Sequence, residues 1–417
     1  MKKNKRIRNV LLKRLLFSVG TILLIRIGTF LPVPGINHYE LASYIQKNPL
    51  TKSVLSTFSG DDTFVIGLFT LNIFPYINAT ILVQLLSGFS QKLSKLQKEG
   101  DFEGRRTITR LTRFITLILA TIQSFGVALY LKQILFDWNP ILAFQIVVWL
   151  TTGAMIVLWL SELITDYGLG NGASLLVYTN IISNFPNLCK KIIVENSQNF
   201  TMFSTVGIVI LTFGSLYGIV LLQEGIRKVP LISSKQLNQS SGSDMMGTSD
   251  KFYLPLRFNQ AGVMPIILTT AFLVLPNYII NTGLFPWLNF LRSFKFIYWI
   301  GYFGLVLSSS TFYASIVLNP KDLSDQLQKM AVTIPGVRPG VQTTFYLKQV
   351  IKRVTLIGAM MLATLTIVPN FIESTLNLTG LNGLSTTSLL ILAGVVLDLI
   401  REIDNIYYSN VYSNRFQ

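Results

Sequence analysis

Three stretches of the chain combine residue types that could do chemistry, and each suggests a different kind. The run "NIFPYIN" (72–78) sets two amides and a proline inside the apolar segment "TFVIGLFTLNIFPYINATILVQLLSG" (63–88). Amides at membrane depth can hydrogen-bond between helices, and Pro75 removes a backbone donor, so the segment reads as a membrane helix weakened at its middle. The stretch "DYGLGNGASLLVY" (166–178) has the glycine content of an anion loop. It lacks the lysine and Ser/Thr of a nucleotide loop and follows no strand, so it reads as a glycine-rich turn entering a helix. The third stretch, Pro335-Gly336-Val337-Arg338-Pro339-Gly340, is a tight turn holding one cation outward, a device suited to recognising a partner. Against these stands a poor catalytic inventory. His38 and Cys189 are each alone of their kind, so no histidine triad, multi-histidine metal site, disulfide or cysteine metal site can form within one chain.

The elements that must position these residues are membrane helices. The chain has 417 residues, 50% hydrophobic and 13% charged, with a mean hydropathy of +0.51. Soluble domains carry roughly 25% charged residues. Ten apolar runs lie near 15–33, 69–90, 110–132, 141–163, 172–189, 203–223, 259–281, 296–318, 350–370 and 384–402. Each approaches the roughly 20 residues that a helical span needs. Strict two-residue alternation is absent, which favours a helical bundle over a β-barrel. The fold class is therefore an all-α polytopic membrane protein. The first run lies too deep in the chain, and is too well followed by others, to be a cleaved signal peptide.

A net charge of +16 could suggest nucleic acid, so the placement of the cations decides its meaning. With Met1 inside, 27 of the 35 basic residues fall on inner segments, 7 on outer ones, and Arg26 within a span. That is the positive-inside bias, with both termini in the cytosol-equivalent compartment. Topology accounts for most of the charge. Acids are scarce at mid-membrane: Glu162, Asp398, Glu402 and Asp404 lie at span ends. Ion-coupled transporters place acids or broken helices at the midplane, so a secondary transporter of small solutes is the weaker alternative.

Between spans, residues 50–68 are weakly apolar and too short to cross, which fits a re-entrant half-helix or an ordinary outer loop. Two long inner segments stand out. Residues 224–258 are Ser/Gly-rich and polar at their centre, and residues 319–349 carry the Arg338 turn.

Taken together and in order, these motifs resemble the SecY family, the channel subunits of the Sec protein translocase. "RIGTFLPVPGI" (26–36) is similar to the end of that family's first helix, "NIFPYINATILVQLL" to its second, and "EGDFEGRRTITRLTRF" (99–114) to the loop that follows. "DYGLGNGASLLVY" resembles the entry to the fifth helix and "LPLRFNQAGVMPII" (254–267) the entry to the seventh. "NPKDLSDQLQKMAVTIPGVRPGVQT" resembles the loop between the eighth and ninth.

The resemblance implies ten transmembrane helices in two inverted five-helix halves, residues 1–190 and 191–417, around a central pore. It implies a plug near 50–68, inner docking loops near 224–258 and 319–349, and a lateral opening to lipid. Ile73, Ile77, Ala173, Val177, Ile267 and Ile391 fall on the family's pore-ring positions; Ala173 is smaller than the bulky aliphatic usual there. Pro75, Asn78, Thr80, Gln123 and Thr270 fall on the lateral gate. Arg338, Arg227 and Lys228 fall on the surface that meets a motor or ribosome, although 230–250 is poor in paired arginines. The implied function is a protein-conducting channel, not an enzyme, that passes unfolded preproteins and releases hydrophobic segments into lipid. No cofactor and no direct nucleic-acid contact is implied. The implied partners are a SecE-like small subunit, the SecA motor ATPase, and a SecG-like subunit or a ribosome. Residue usage resembles plastid-encoded members, so the expected place is the thylakoid membrane with both termini stromal; the alternative is a bacterial plasma membrane.

Overall fold

Residues 2–34, 66–90, 93, 102–132, 139–195, 202–233, 253–260, 262, 265, 268–269, 295–376 and 386–413 are described by the computed structural model. The chain forms two compact units, Met1–Val194 with Val395–Gln417, and Glu195–Gly394. In the first lie α1 (Lys2–Thr29), α2 (Phe74–Phe89), α3 (Phe102–Leu131), α4 (Pro140–Tyr167) and α5 (Gly172–Glu195). In the second lie α6 (Met202–Glu224), α7 (Lys295–Val317), α8 (Pro320–Lys329) and α9 (Val341–Leu376). It also holds four short strands, β1 (Ile226–Pro230), β2 (Ile232–Ser233), β3 (Tyr253–Arg257) and β4 (Val332–Thr333). A last helix, α10 (Thr386–Ser413), begins within the second unit and ends within the first.

Among the described residues, four segments are long and apolar enough to cross a membrane: Arg106–Leu129, Pro140–Tyr167, Trp299–Lys329 and Val341–Pro369. Gly172–Ser183 and Ile210–Glu224 are shorter apolar helices. The run near 259–281 lies almost wholly outside the described residues. Helix α1 carries too much charge to join them, because Lys13, Arg14 and Arg26 all fall in its apolar part. Apolar side chains such as Leu23, Phe114, Ile122, Phe144, Trp159 and Phe213 are exposed on the helices. A lipid-facing surface requires this, since hydrocarbon solvates them as well as protein does.

The stretch around "NIFPYIN" is built differently from the weakened helix that its composition suggests. Gly67 bridges to Pro32, residues 68–73 are turns, and the helix starts after them. Val33 N–H donates to the Ile66 carbonyl at 3.1 Å, Leu68 N–H to Leu31 at 2.9 Å, and Asn72 N–H to Phe69 at 2.9 Å. Ile66 and Leu71 are buried in a core with Ala120, Val127, Ile146 and Leu150 of α3 and α4. Asn72 has φ +46°, a left-handed conformation that a helix cannot continue through and that asparagine tolerates better than most residues. Ile73 is the N-cap, and Pro75 sits in the first turn of α2. There its missing N–H would have had no helical partner anyway, and its fixed φ suits the start. Pro75 therefore initiates α2 and does not interrupt it. Gly67 and Gly153 let this chain of turns pass, because a Cβ on either would strike the backbone carbonyl of Thr29 or Leu68.

In the second unit, Ile219, Leu222, Tyr302, Val306, Leu362, Leu389 and Leu390 form the core shared by α6, α7, α9 and the start of α10. Helix α8 is opened by Pro320 and by Asn319 Oδ1, which accepts from Lys321 N–H at 3.1 Å. Asp322 in its first turn and Lys329 in its last complement the helix dipole.

Candidate functional site

The first unit holds two of the sequence-predicted walls, one at the start of α2 and one at the start of α5. Ile73 is 1% exposed at the N-cap of α2, and Ile77, whose N–H donates to the Ile73 carbonyl at 3.1 Å, is half-buried one turn later. Ala173 and Val177 are likewise half-buried one turn apart at the start of α5. The glycine-rich segment before α5 is a turn, as its composition suggests, with Gly170 at φ +81°. Three hydrogen bonds fix the entry of α5. Ala173 N–H donates to Asn171 Oδ1 at 3.1 Å, Gly172 N–H to Thr165 Oγ1 at 2.9 Å, and Leu169 N–H to Ser18 Oγ on α1 at 2.8 Å.

Two polar ties then join α5 to its neighbours. Asn72 Nδ2 donates to Asn180 Oδ1 at 3.0 Å, while Asn72 Oδ1 accepts from Ile73 N–H at 2.8 Å. The Arg26 guanidinium donates to Ser183 Oγ and lies 5.4 Å from the Phe30 ring centroid. An arginine within a span is tolerated only with such partners. Composition marked Arg26 and Asn72 but gave no sign of Asn180 or Ser183. The usable signal was a second amide, Asn180, one turn past Val177.

The gate positions are less joined. Thr80 Oγ1 donates to the Ile77 carbonyl of its own helix at 2.7 Å. Gln123 on α3 has a buried Oε1 with no hydrogen-bond partner among the described residues. No bond from Asn78 or Thr80 to Gln123 occurs among the described residues. Between α2 and α3 lies a cavity of about 210 Å³ lined by Tyr76, Thr80, Gln84, Ser87, Thr109 and Thr112, among others. Nearby, Arg113 of α3 grips Glu162 of α4 through two 2.8 Å hydrogen bonds. Half of the Arg113 side chain is exposed, so this pair contributes on the order of 0–1 kcal/mol and mainly fixes geometry. Ile391, on α10, is half-buried in the second unit. Ile267 and Thr270 lie outside the described residues, as do residues 35–65, which include most of the segment read as a plug.

The two inner loops form one platform, which the sequence reading treated as separate pieces. β1 pairs antiparallel with β3, Arg227 opposite Leu256 and Lys228 opposite Pro255; β2 pairs with β4, Ile232 opposite Thr333. Beneath them Val229, Leu256, Leu327, Ile334, Leu347, Val350 and Val354 make a continuous apolar core. The platform carries Arg338 on a rigid turn. Val337 N–H donates to the Ile334 carbonyl at 3.1 Å, with Pro335 and then Gly336 (φ +77°) between them. Proline followed by a left-handed glycine is the type II pattern. Beyond it, Thr343 Oγ1 donates to the Arg338 carbonyl at 2.9 Å, and the Arg338 side chain stands exposed. Arg227 and Lys228 are exposed on β1, and Lys228 Nζ lies 4.9 Å from the Tyr253 ring centroid, a cation–π contact.

Residues 67–400 match the family model described as SecY. The protein translocase subunit SecY of Trieres chinensis is 59% identical, over 98% of this chain and 98% of that one. The protein of the same description from Guillardia theta is 42% identical, over 96% and 95%. Among solved structures, this chain is similar to a SecY whose plug domain is described as stabilising the closed state of the translocation channel and maintaining a membrane seal. That similarity has a TM-score of 0.66 at 17% identity, over 97% of this chain and 94% of that one. The fold is therefore that of an all-α polytopic membrane channel.

Proposed function

Because the chain belongs to the SecY family, we propose that it is the protein-conducting channel of a Sec translocase, a conduit and not an enzyme. It passes unfolded preproteins across a membrane and releases hydrophobic segments sideways into lipid. The observation that carries the mechanism is the pairing of aliphatic residues one turn apart on two tied helix starts, Ile73 and Ile77 on α2 with Ala173 and Val177 on α5. The family resemblance adds Ile267 and Ile391 to these four as one ring without hydrogen-bonding groups. Such a ring closes around any passing chain and excludes ions by dewetting, with no preference for sequence. A small-solute transporter has no comparable support.

The halves of this channel are residues 1–190 and 191–417, and residues 50–68 act as its plug, on the strength of the family resemblance. Pro75, Asn78, Thr80, Gln123 and Thr270 belong to its lateral gate. Gln123, with a buried and unpartnered acceptor among the described residues, is suited to exchanging partners as the gate parts. Nothing in the sequence resembles a nucleotide-binding loop, which supports an external SecA-like motor as the energy source. Arg338, Arg227 and Lys228 give that motor, or a ribosome, a basic platform. A SecE-like subunit, and a SecG-like one, complete the assembly. The place is a thylakoid membrane with both termini stromal, supported by the residue usage and by the positive-inside bias.

The test is site-specific crosslinking from residue 77 and residue 267 to a precursor arrested during transport. Adducts at both positions are expected. Adducts at neither, together with solute uptake by the purified protein, would overturn the reading.

A further inference from the structure

The polar joint between α2 and α5 lies beside the residues read as the constriction. Asn72 is 6% exposed and makes two bonds with one side chain, folding back on Ile73 N–H and reaching across to Asn180. Asn180 follows Val177 by three residues on α5, about one helical turn. The bond therefore ties the first residue of one wall to the turn beside the other. The surrounding cavity, which includes Arg26, Thr29, Asn72, Thr179 and Asn180 in its lining, holds only about 10 Å³. That is room for about one water, so this cluster joins helices and does not bind a ligand.

We propose that Asn72 and Asn180 are positioning residues forming an amide latch, which fixes where Ile73 and Ile77 stand against Ala173 and Val177 and thereby how stringently the channel selects its precursors. This rests on the reading of those four residues as constriction. When the latch is made, α2 starts at a fixed distance from α5. When it is broken, that wall can shift and the closed state loses part of its advantage. The left-handed backbone at residue 72 supplies a clean variant: glycine adopts φ +46° without strain, so Asn72→Gly removes the amide and leaves the turn. Asn180→Ala removes the accepting amide and leaves Asn72 with its bond to Ile73 N–H. Asn180→Asp keeps an acceptor in the same place, and Arg26 in the same cavity supplies the countercharge.

The measurement is the transport rate of a signal-weakened precursor relative to an intact one, in vesicles carrying the assembled translocase with the full chain. Asn72→Gly and Asn180→Ala should each raise that ratio by about three- to tenfold, the effect of losing one interhelical hydrogen bond from a two-state balance. The double variant should do no more than either single one, and Asn180→Asp should retain the parental ratio. A purely structural role would lower abundance and thermal stability without changing the ratio. Ile77→Asn is the control that separates this inference from the reading beneath it. If Ile77→Asn raises the ratio and the latch variants do not, the latch is wrong and the constriction stands. If Ile77→Asn has no effect, the constriction falls and the latch with it. Additive effects of the two latch variants, or an Asn180→Asp variant that behaves like Asn180→Ala, would also overturn the latch. Should Asn72→Gly fail to accumulate, the contrast between Asn180→Ala and Asn180→Asp decides alone.

Discussion

Arg338 shows how one side chain can be prepared for recognition by everything beneath it. Its own side chain stands in solvent, but the backbone on either side is held. Ile334 is buried, the Pro335-Gly336 turn is closed by Val337 N–H, and Thr343 caps the Arg338 carbonyl. The backbone that carries the cation is thus pre-positioned, so only the side chain remains to be ordered when a partner arrives. We expect Arg338→Glu to fold and insert normally while lowering motor-driven transport about 100-fold, since like-charge juxtaposition at an interface costs several kcal/mol. Transport of a precursor by membranes carrying the variant, at equal channel abundance, checks this; a parental rate would remove Arg338 from the docking surface. The turn that carries it was legible because proline and glycine are each individually informative in a loop. Asn180 was not legible, because one amide in an apolar helix is as consistent with ordinary helix contacts as with a specific bond. Only its distance to Asn72 distinguishes the two.

At the scale of elements, local pattern succeeded where a structure depends on near neighbours and failed where it depends on distant ones. The span positions of α3, α4, α7 and α9 follow from hydropathy alone. The start of α2 does not, because hydropathy registers that Ile66, Leu71 and Ile73 are apolar and is blind to the sign of φ at Asn72. An asparagine three residues before a proline was the available signal for a helix start. The platform was missed for another reason: β2 and β4, which join the two loops, pair across about a hundred residues, and neither is long enough to announce itself as a strand. A consequence is that the segments 226–233 and 332–340, which share one core, share one stability. Gly336 has open space around its Cβ position, so Gly336→Ala isolates the conformational cost of φ +77°, about 1–2 kcal/mol. We expect that variant to expose the 319–349 loop to limited proteolysis several times faster and to weaken motor binding while Arg338 is still present. Unchanged proteolysis and affinity would mean that the turn tolerates another geometry without consequence for docking.

For the whole molecule, charge does what hydropathy cannot. Apolar runs say how many times a chain can cross a bilayer but not which end faces which compartment. The described residues alone contain four helices that qualify by length and composition, too few to fix the parity of the crossings. The cations are less ambiguous, because each Lys or Arg placed at the centre of a span costs roughly 2.5–3.5 kcal/mol. If 27 of the 35 basic residues lie on one side, as ten crossings with Met1 inside would place them, then the start of α1, the entry to α3, the β1–β4 platform and the end of α10 share one compartment. The short connection between α3 and α4 then lies opposite. The test uses single cysteines in a Cys189→Ser background and a membrane-impermeant thiol reagent on sealed vesicles of known orientation. Cysteines replacing Lys3, Arg338 and Gln417 should label together from one side, and a cysteine replacing Lys132 only from the other. If residues 3 and 417 label from opposite sides, the number of crossings is odd. In that case the charge distribution would have to be explained by partner binding, and the placement of both docking loops beside the termini would fall with the topology.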